Sequence, residues 1–302
     1  MKPRPSIRCI TVAVFFAVAL TLLAVCGFGA GFGSSGPDRA AVITLPHSFG
    51  LGPPSDGNRA EVIGRSVEGR EIKSYRIGIG PKAVILFGGI HGGYEWNTVT
   101  LSEQLLEYFR ASPNTVPDDV SLYILPNTNP DGVKKVTEGA ALDEVDFAEA
   151  NTTPGRFNAN GVDLNRNFDH NWEPTARWFD IEVDAGTEPF SEPETRALRD
   201  FILRHEPELV IAYHSAANGI YPGGHFDGYD LAREPGNVYS VASGYPMPYG
   251  PIIGYPVTGD ASNYLATEDI PAITVELATH EDPEFQQNLA GVLAVLEYVS
   301  AD

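Results

Sequence analysis

Apolar residues along the chain fall into short unbroken runs that alternate with stretches of helical spacing. Lys82 to Gly89 (KAVILFGG), Val120 to Leu125 (VSLYIL), Leu209 to Tyr213 (LVIAY) and Ala272 to Val275 (AITV) are of strand length. Runs without polar alternation predict strands buried on both faces. Between them, Val99, Leu101, Leu105, Leu106 and Phe109 recur at helical spacing from Thr98 to Arg110, and Pro113 ends the pattern. Ser191-Glu192-Pro193-Glu194 predicts a helix start with a hydroxyl cap and early acids, with Leu198, Phe201 and Ile202 as its apolar stripe. A final amphipathic helix is predicted from Pro283 to Val299. Strands alternating with helices predict an α/β fold whose sheet carries helices on both faces. No repeat of about 20 to 50 residues is visible, which excludes a solenoid or propeller.

The first 30 residues differ in kind. Lys2, Arg4 and Arg8 precede an uncharged, largely apolar run from Cys9 to Gly33. A basic start followed by such a run reads as a secretory signal or a retained membrane anchor, and about 20 apolar residues suffice to span a bilayer. Leu23-Ala24-Val25-Cys26 resembles a bacterial lipoprotein box, although Val25 is bulkier than that signal takes, so lipidation is a third outcome. All three put the rest of the chain outside the cytoplasm, secreted or anchored, with membrane contact only through this segment. Residues 31–56 read as a linker rich in Gly, Pro and Ser, and residues 57–302 as one globular domain.

Composition narrows the chemistry. The chain holds 40 Asp and Glu against 20 Lys and Arg, and Asp38 is the one acid among its first 40 positions. So acidic a domain excludes nucleic acid as a partner, because phosphate binding rests on clustered Lys and Arg, and it reads as a solubility feature. Both cysteines, Cys9 and Cys26, lie in the leader. The domain therefore has no disulfide, thiolate metal site or Cys nucleophile, and its chemistry must use imidazole and oxygen.

In α/β sheets ligands bind beyond the carboxyl ends of strands. His91, Asn127 to Asp131, His214 and Glu276 each follow an apolar run, so one sheet edge collects two histidines and several carboxylates. His91-Gly92-Gly93-Tyr94-Glu95 spaces an imidazole and a carboxylate one turn apart, and His214 supplies a third donor from a distant strand. Two His and one Glu with an open fourth position suit a catalytic Zn²⁺.

At these residues the sequence resembles the zinc carboxypeptidase family, the carboxypeptidase A-like enzymes. The resemblance covers nearly all of residues 60 to 302, in the family's order: Gly64-Arg65-Ser66-Val67-Glu68-Gly69-Arg70, His91 with Glu95, Asn129-Pro130-Asp131-Gly132, Gly161-Val162-Asp163-Leu164-Asn165-Arg166-Asn167, His214-Ser215 and Thr274-Val275-Glu276-Leu277. Each motif alone is weak, and six in order are not a chance match. The family usually places two residues between the first histidine and the glutamate, and this chain has three. An i, i+4 pair can still converge on a metal, and the Gly-Gly turn can absorb the extra residue.

The resemblance implies a mixed, mostly parallel central sheet, one Zn²⁺ held by His91, Glu95 and His214, and hydrolysis of the C-terminal peptide bond. Glu276 matches the catalytic glutamate that takes a proton from water and passes it to the leaving amine. Arg156 resembles the arginine that stabilises the tetrahedral oxyanion. Asn165 and Arg166 match the pair that holds the substrate's terminal carboxylate, and Tyr255 resembles the tyrosine that closes over it. Asp163 is expected to accept a hydrogen bond from the other nitrogen of His91.

Asp260, Ala261 and Ser262 should shape the side-chain pocket without declaring a preference, with Asp260 read as a turn residue. His280-Glu281-Asp282 reads as a helix-capping segment, and His47, His170, His205 and His225 as structural or exposed. Two alternatives stay open beside a metallocarboxypeptidase acting on peptides. One is a murein peptide amidase or diaminopimelate-cleaving peptidase acting on muropeptides, and the other is a non-catalytic peptide-binding descendant.

Overall fold

A computed structural model describes residues 60–224, 231–248 and 257–301. The expected export segment, the linker, His47, His225 and Tyr255 lie outside the described residues. Among the described residues no helix is long and apolar enough to cross a membrane.

The chain opens with the hairpin β1 (Ala60–Arg65) and β2 (Glu71–Ile77), then runs β3 (Lys82–Phe87), α1 (Trp96–Ala111), β4 (Val120–Leu125) and α2 (Pro130–Thr137). A small hairpin, β5 (Thr175–Trp178) and β6 (Ile181–Asp184), precedes α3 (Pro193–His205), β7 (Leu209–Ser215) and β8 (Gly219–Pro222). After α4 (Arg233–Ser243) and α5 (Ala261–Thr267) come β9 (Ala272–Leu277) and α6 (Phe285–Ala301). The main sheet has the order β1-β2-β4-β3-β7-β9-β8. Its centre, β4-β3-β7-β9, is parallel, and the outer strands β1, β2 and β8 are antiparallel.

The four central strands are the four apolar runs of the sequence, and their lack of alternation follows from cover on both faces. In β3, Val84 and Leu86 join a core with α1, α4 and α6, while Ala83, Ile85 and Phe87 point the other way into a core with α3 and α5. The hydropathy pattern ends β7 and β9 two residues early. Both strands continue in register through their first polar residues, pairing His214 with Glu276 and Ser215 with Leu277. The start of α3 also differs from expectation. Glu192, not a hydroxyl residue, occupies the cap position and makes no side-chain capping bond. Ser191 Oγ instead donates to Glu192 Oε1 (2.9 Å), and Glu192 Oε2 accepts from the Asn158 and Asn160 amides.

Three segments are interleaved behind the sheet edge at glycines. A Cβ on Gly92 would lie 2.6 Å from the Gly155 carbonyl oxygen, one on Gly132 would strike the same oxygen, and one on Gly155 would lie 2.9 Å from the Gly93 carbonyl carbon. Backbone therefore packs on backbone, and the turn at 153–156 is pressed against the turn after β3. Gly132→Ala should lower stability by about 1–3 kcal/mol through overpacking. The measurement is the urea midpoint at constant m value, and an unshifted midpoint would refute the close packing.

Candidate metal centre

His91 follows β3 and opens a short 3-10 turn, Gly92–Glu95, that precedes α1. Gly92 has φ +45, and both Tyr94 N and Glu95 N donate to His91 O, so the extra residue between histidine and glutamate is taken up in this tight turn. Glu95 is the residue before α1, yet its carboxylate makes no capping bond to that helix. It turns back instead: Oε1 lies 2.7 Å from His91 Nδ1 and Oε2 lies 3.2 Å from His214 Nδ1.

His91, Glu95 and His214 are all buried, and one donor atom from each lies within 4.8 Å of the others. Glu95 Oε2 is buried without a hydrogen-bond partner, despite the nearby imidazole. Burial pushes the Glu95 carboxyl up, but the charges of His91 and His214 and the bond with His91 outweigh it and hold it below its ordinary value. His214 is raised, since Glu95 outweighs the effect of burial. An ionised carboxylate with an orphaned oxygen between two imidazole nitrogens suits a divalent cation, and two His with one Glu is a zinc donor set.

The remaining predicted residues that are described, Asp163, Arg156, Asn165, Arg166 and Glu276, gather round this cluster. His91 Nε2 lies 3.2 Å from Asp163 Oδ1, the contact expected from sequence. Asp163 is fully buried, and its carboxyl is held well below the usual range because Arg156, His91 and Arg166 overcome the effect of burial. Arg156 donates from Nε to Asp163 Oδ2 (2.9 Å), while another terminal nitrogen lies 3.3 Å from His91 Nδ1 and 3.9 Å from Glu95 Oε1. Its guanidinium thus faces the donor set, although it is buried rather than free in the cleft.

Asn165 Nδ2 lies 3.5 Å from His214 Nε2, and its Oδ1 accepts from Ala261 N. Arg166 is also buried, and it donates to the carbonyls of Asn165 and Arg177. Glu276 lies opposite His214 on the neighbouring strand, and its Oε2 accepts from Ala217 N (3.1 Å). Burial pushes the Glu276 carboxyl up to about 7 against the pull of His214, with the charge of Glu95 acting in the same direction as burial.

Asp260 keeps its reading as a turn residue, and His280 does not keep its reading as a cap. Asp260 caps α5, with Oδ1 on Asn263 N and Oδ2 on Asn263 Nδ2, so its carboxylate is largely spent within the turn. His280, read from sequence as part of a cap, belongs to the cleft: its Nδ1 lies 2.8 Å from Ser215 Oγ, which donates to Asn97 Oδ1, and its ring lies 4.8 Å from that of Tyr94. Tyr94 and Trp178 (ring centroids 5.1 Å apart) also stand beside Arg156. Only the position of His280 four residues beyond Glu276, at the same sheet edge, could have signalled its place.

The family model for zinc carboxypeptidase matches residues 55–286. The chain belongs to the zinc carboxypeptidase family. Among curated relatives, zinc carboxypeptidase A 1 of Anopheles gambiae is 34% identical over 173 residues, which is 54% of this chain and 39% of that protein. The matched part is therefore well under two thirds of that relative's length. The crystal structure of carboxypeptidase A from Helicoverpa armigera aligns with a TM-score of 0.64 at 22% identity, covering 82% of this chain and 69% of that one. That of murein-tripeptide amidase from Escherichia coli O157 aligns with a TM-score of 0.58 at 25% identity, covering 83% of this chain and 93% of that one. Zinc dependence is a property of the family, and the His91, Glu95 and His214 donor set fits it.

Glu95→Ala should abolish stoichiometric zinc binding, whereas Asp163→Asn, which removes no donor but alters the support of His91 and Arg156, should weaken affinity by about 10–100-fold. Metal analysis after dialysis and competition with a chelating dye separate these outcomes, and full zinc occupancy in Glu95→Ala would refute the ligand set.

Proposed function

We propose that the chain is a zinc metallocarboxypeptidase that releases the C-terminal residue of peptides. The observation that carries this reading is the placement of Glu276 opposite His214 in adjoining parallel strands, which sets a carboxyl bonded, among the described residues, only by Ala217 N at Oε2 beside the candidate metal donors. His91, Glu95 and His214 would hold the zinc, which would act as a Lewis acid on the scissile carbonyl and lower the pKa of water to ~7.

The chain's own groups do the rest. Glu276 accepts the proton of the attacking water at its carboxylate and hands it to the departing amine. Arg156 keeps a terminal nitrogen turned towards the donor set, where it meets the negative charge that develops on the carbonyl oxygen. Asp163 holds both His91 Nε2 and Arg156, so one buried carboxylate orients a ligand and an oxyanion donor. Asn165 and Arg166 take the terminal carboxylate, Arg166 with the N–H groups not given to backbone carbonyls, and Tyr255 closes over the bound residue. The basic and apolar N-terminal sequence supports an exported or membrane-anchored enzyme.

The likeness to murein-tripeptide amidase, nearly all of whose length is matched, favours a second reading in which muropeptides are the substrate. A panel of short peptides and muropeptides, assayed for release of a C-terminal amino acid with and without a chelator, tests both. Chelator-sensitive release from ordinary peptides is expected, and Glu276→Gln should lower kcat by about 10²–10⁴-fold with zinc still bound. Cleavage confined to muropeptides would replace the first reading with the second. A zinc-loaded chain that cleaves nothing would favour a peptide-binding descendant.

A further inference from the structure

A single buried amide joins the three segments that meet beside the ligand cluster. Asn97, two residues after Glu95 in the first turn of α1, donates from Nδ2 to the carbonyls of Thr279 (2.7 Å) and Asp282 (3.1 Å). A carbonyl only accepts, so these two bonds fix which way the amide faces. Its Oδ1 is left to accept the hydroxyl of Ser215 (2.9 Å), the residue after His214. Ser215 has one proton to give, and it is spent there. Its Oγ can therefore meet His280 Nδ1, 2.8 Å away, only as an acceptor. Nδ1 carries the hydrogen, and in the neutral ring Nε2 is a bare acceptor.

That nitrogen has no use within the chain. Among the described residues none bonds Nε2, and the atom is not sealed from solvent. The half-buried ring lies 4.8 Å from that of Tyr94, and the charges of Glu95, His91 and Arg156 reach it, so it stands beside the ligand cluster. Burial lowers the His280 pKa, with His91 and Arg156 acting in the same direction and Glu95 opposing them, which favours the neutral ring. The loop that carries the ring is also pinned where it leaves β9 and enters α6. There Glu284 accepts from Ala278 N (2.9 Å) and from the Tyr245 hydroxyl.

Resting on the carboxypeptidase reading, we propose that His280 is a further substrate-binding residue, its Nε2 accepting a hydrogen bond from a main-chain N–H of the bound peptide. The choice of partner follows from what the other groups at the cleft can offer. An extended peptide brings both carbonyl oxygens and N–H groups. Arg156 and Arg166 only donate, Asn165 Oδ1 is taken by Ala261 N, and Glu276 is given to the proton of water. His280 Nε2 is the acceptor that these groups leave for an N–H, which would otherwise lose its water without replacement. Asn97 and Ser215 act through His280 as positioning residues, because turning the ring over would break the bond between Nδ1 and Ser215.

Imidazole nitrogen NMR of the zinc-loaded chain reads the tautomer without a variant. Protonated Nδ1 is expected for His280, and a neutral ring protonated at Nε2 overturns the proposal. His280→Asn keeps an amide donor for Ser215 and removes the Nε2 acceptor. In zinc-loaded Glu276→Gln, calorimetry with a blocked tripeptide reads binding without turnover, and adding His280→Asn should weaken Kd by about 3–10-fold with zinc content unchanged. The same peptide methylated at one main-chain nitrogen at a time completes the cycle. One methylation should weaken binding by a similar factor where His280 is present and by no further factor where it is replaced. Unchanged affinity on His280→Asn, or methyl effects of equal size with and without it, overturns the contact. Coupled binding with no hydrolysis of the parent peptide by the wild-type chain keeps the contact and refutes the carboxypeptidase reading, and chelator-sensitive hydrolysis without coupling does the reverse. A zinc-loaded chain that neither binds nor cleaves the peptide overturns both.

Discussion

A carboxylate enclosed by two imidazoles is the feature that the surrounding structure must make tolerable. Glu95 lies against His91 and His214, and Asp163, with no exposure at all, lies against His91 and Arg156. Removing such charges from water costs several kcal/mol each unless an opposite charge waits at contact distance. The chain meets this demand with backbone geometry. Glycines at 92, 132 and 155 let three segments touch, which brings Arg156 to Asp163, and parallel strands ending in register bring His214 to Glu95. The same arrangement leaves one carboxylate oxygen without a hydrogen bond, which is the opening a divalent cation fits.

Several of the motifs that resemble the family act behind this cluster and not within it. Asp131 of the Asn129–Gly132 motif accepts from Ser66 Oγ (2.7 Å), Glu68 N (2.9 Å) and an Arg70 terminal nitrogen (2.7 Å). The two motifs are therefore halves of one contact. Asn129 caps α2 through Gly132 N and donates to the carbonyl of Ile90, the residue before His91. Glu194 joins the frame by accepting from Val67 N and, with Glu192, from the Asn158 amide, two residues after Arg156. Buried polar groups of this kind are tolerated only when paired, so the loops that carry His91 and Arg156 are locked together.

Much of the fold was legible because burial on both faces leaves a local trace. The strands at 82–87, 120–125, 209–215 and 272–277 match apolar runs; the first stops two residues short, before Gly88 and Gly89, and the last two run on into the polar residues of the site. The grouping of His91, Glu95 and His214 and the contact from Asp163 were legible from residue type, spacing and motif order. The cap of α3 was not, since Glu192 is drawn away by Asn158 and Asn160 from a distant loop. Nor was the place of His280, whose ring is fixed by Ser215 and faces Tyr94, neither of them near it in sequence.

The sequence by itself determined the alternation of strands and helices, the sheet edge at which the chemistry collects, and the absence of cysteine from the domain. These are properties of single segments: an apolar run, a donor atom, a residue count. Tertiary structure decided that Arg156 pairs with Asp163 while facing the donor set, that Asp260 spends its carboxylate on a helix cap, and that Tyr94 meets both Trp178 and His280. Those outcomes depend on which distant segments touch, and contact distance, not composition, sets whether a buried charge is paired and which faces remain open to a substrate.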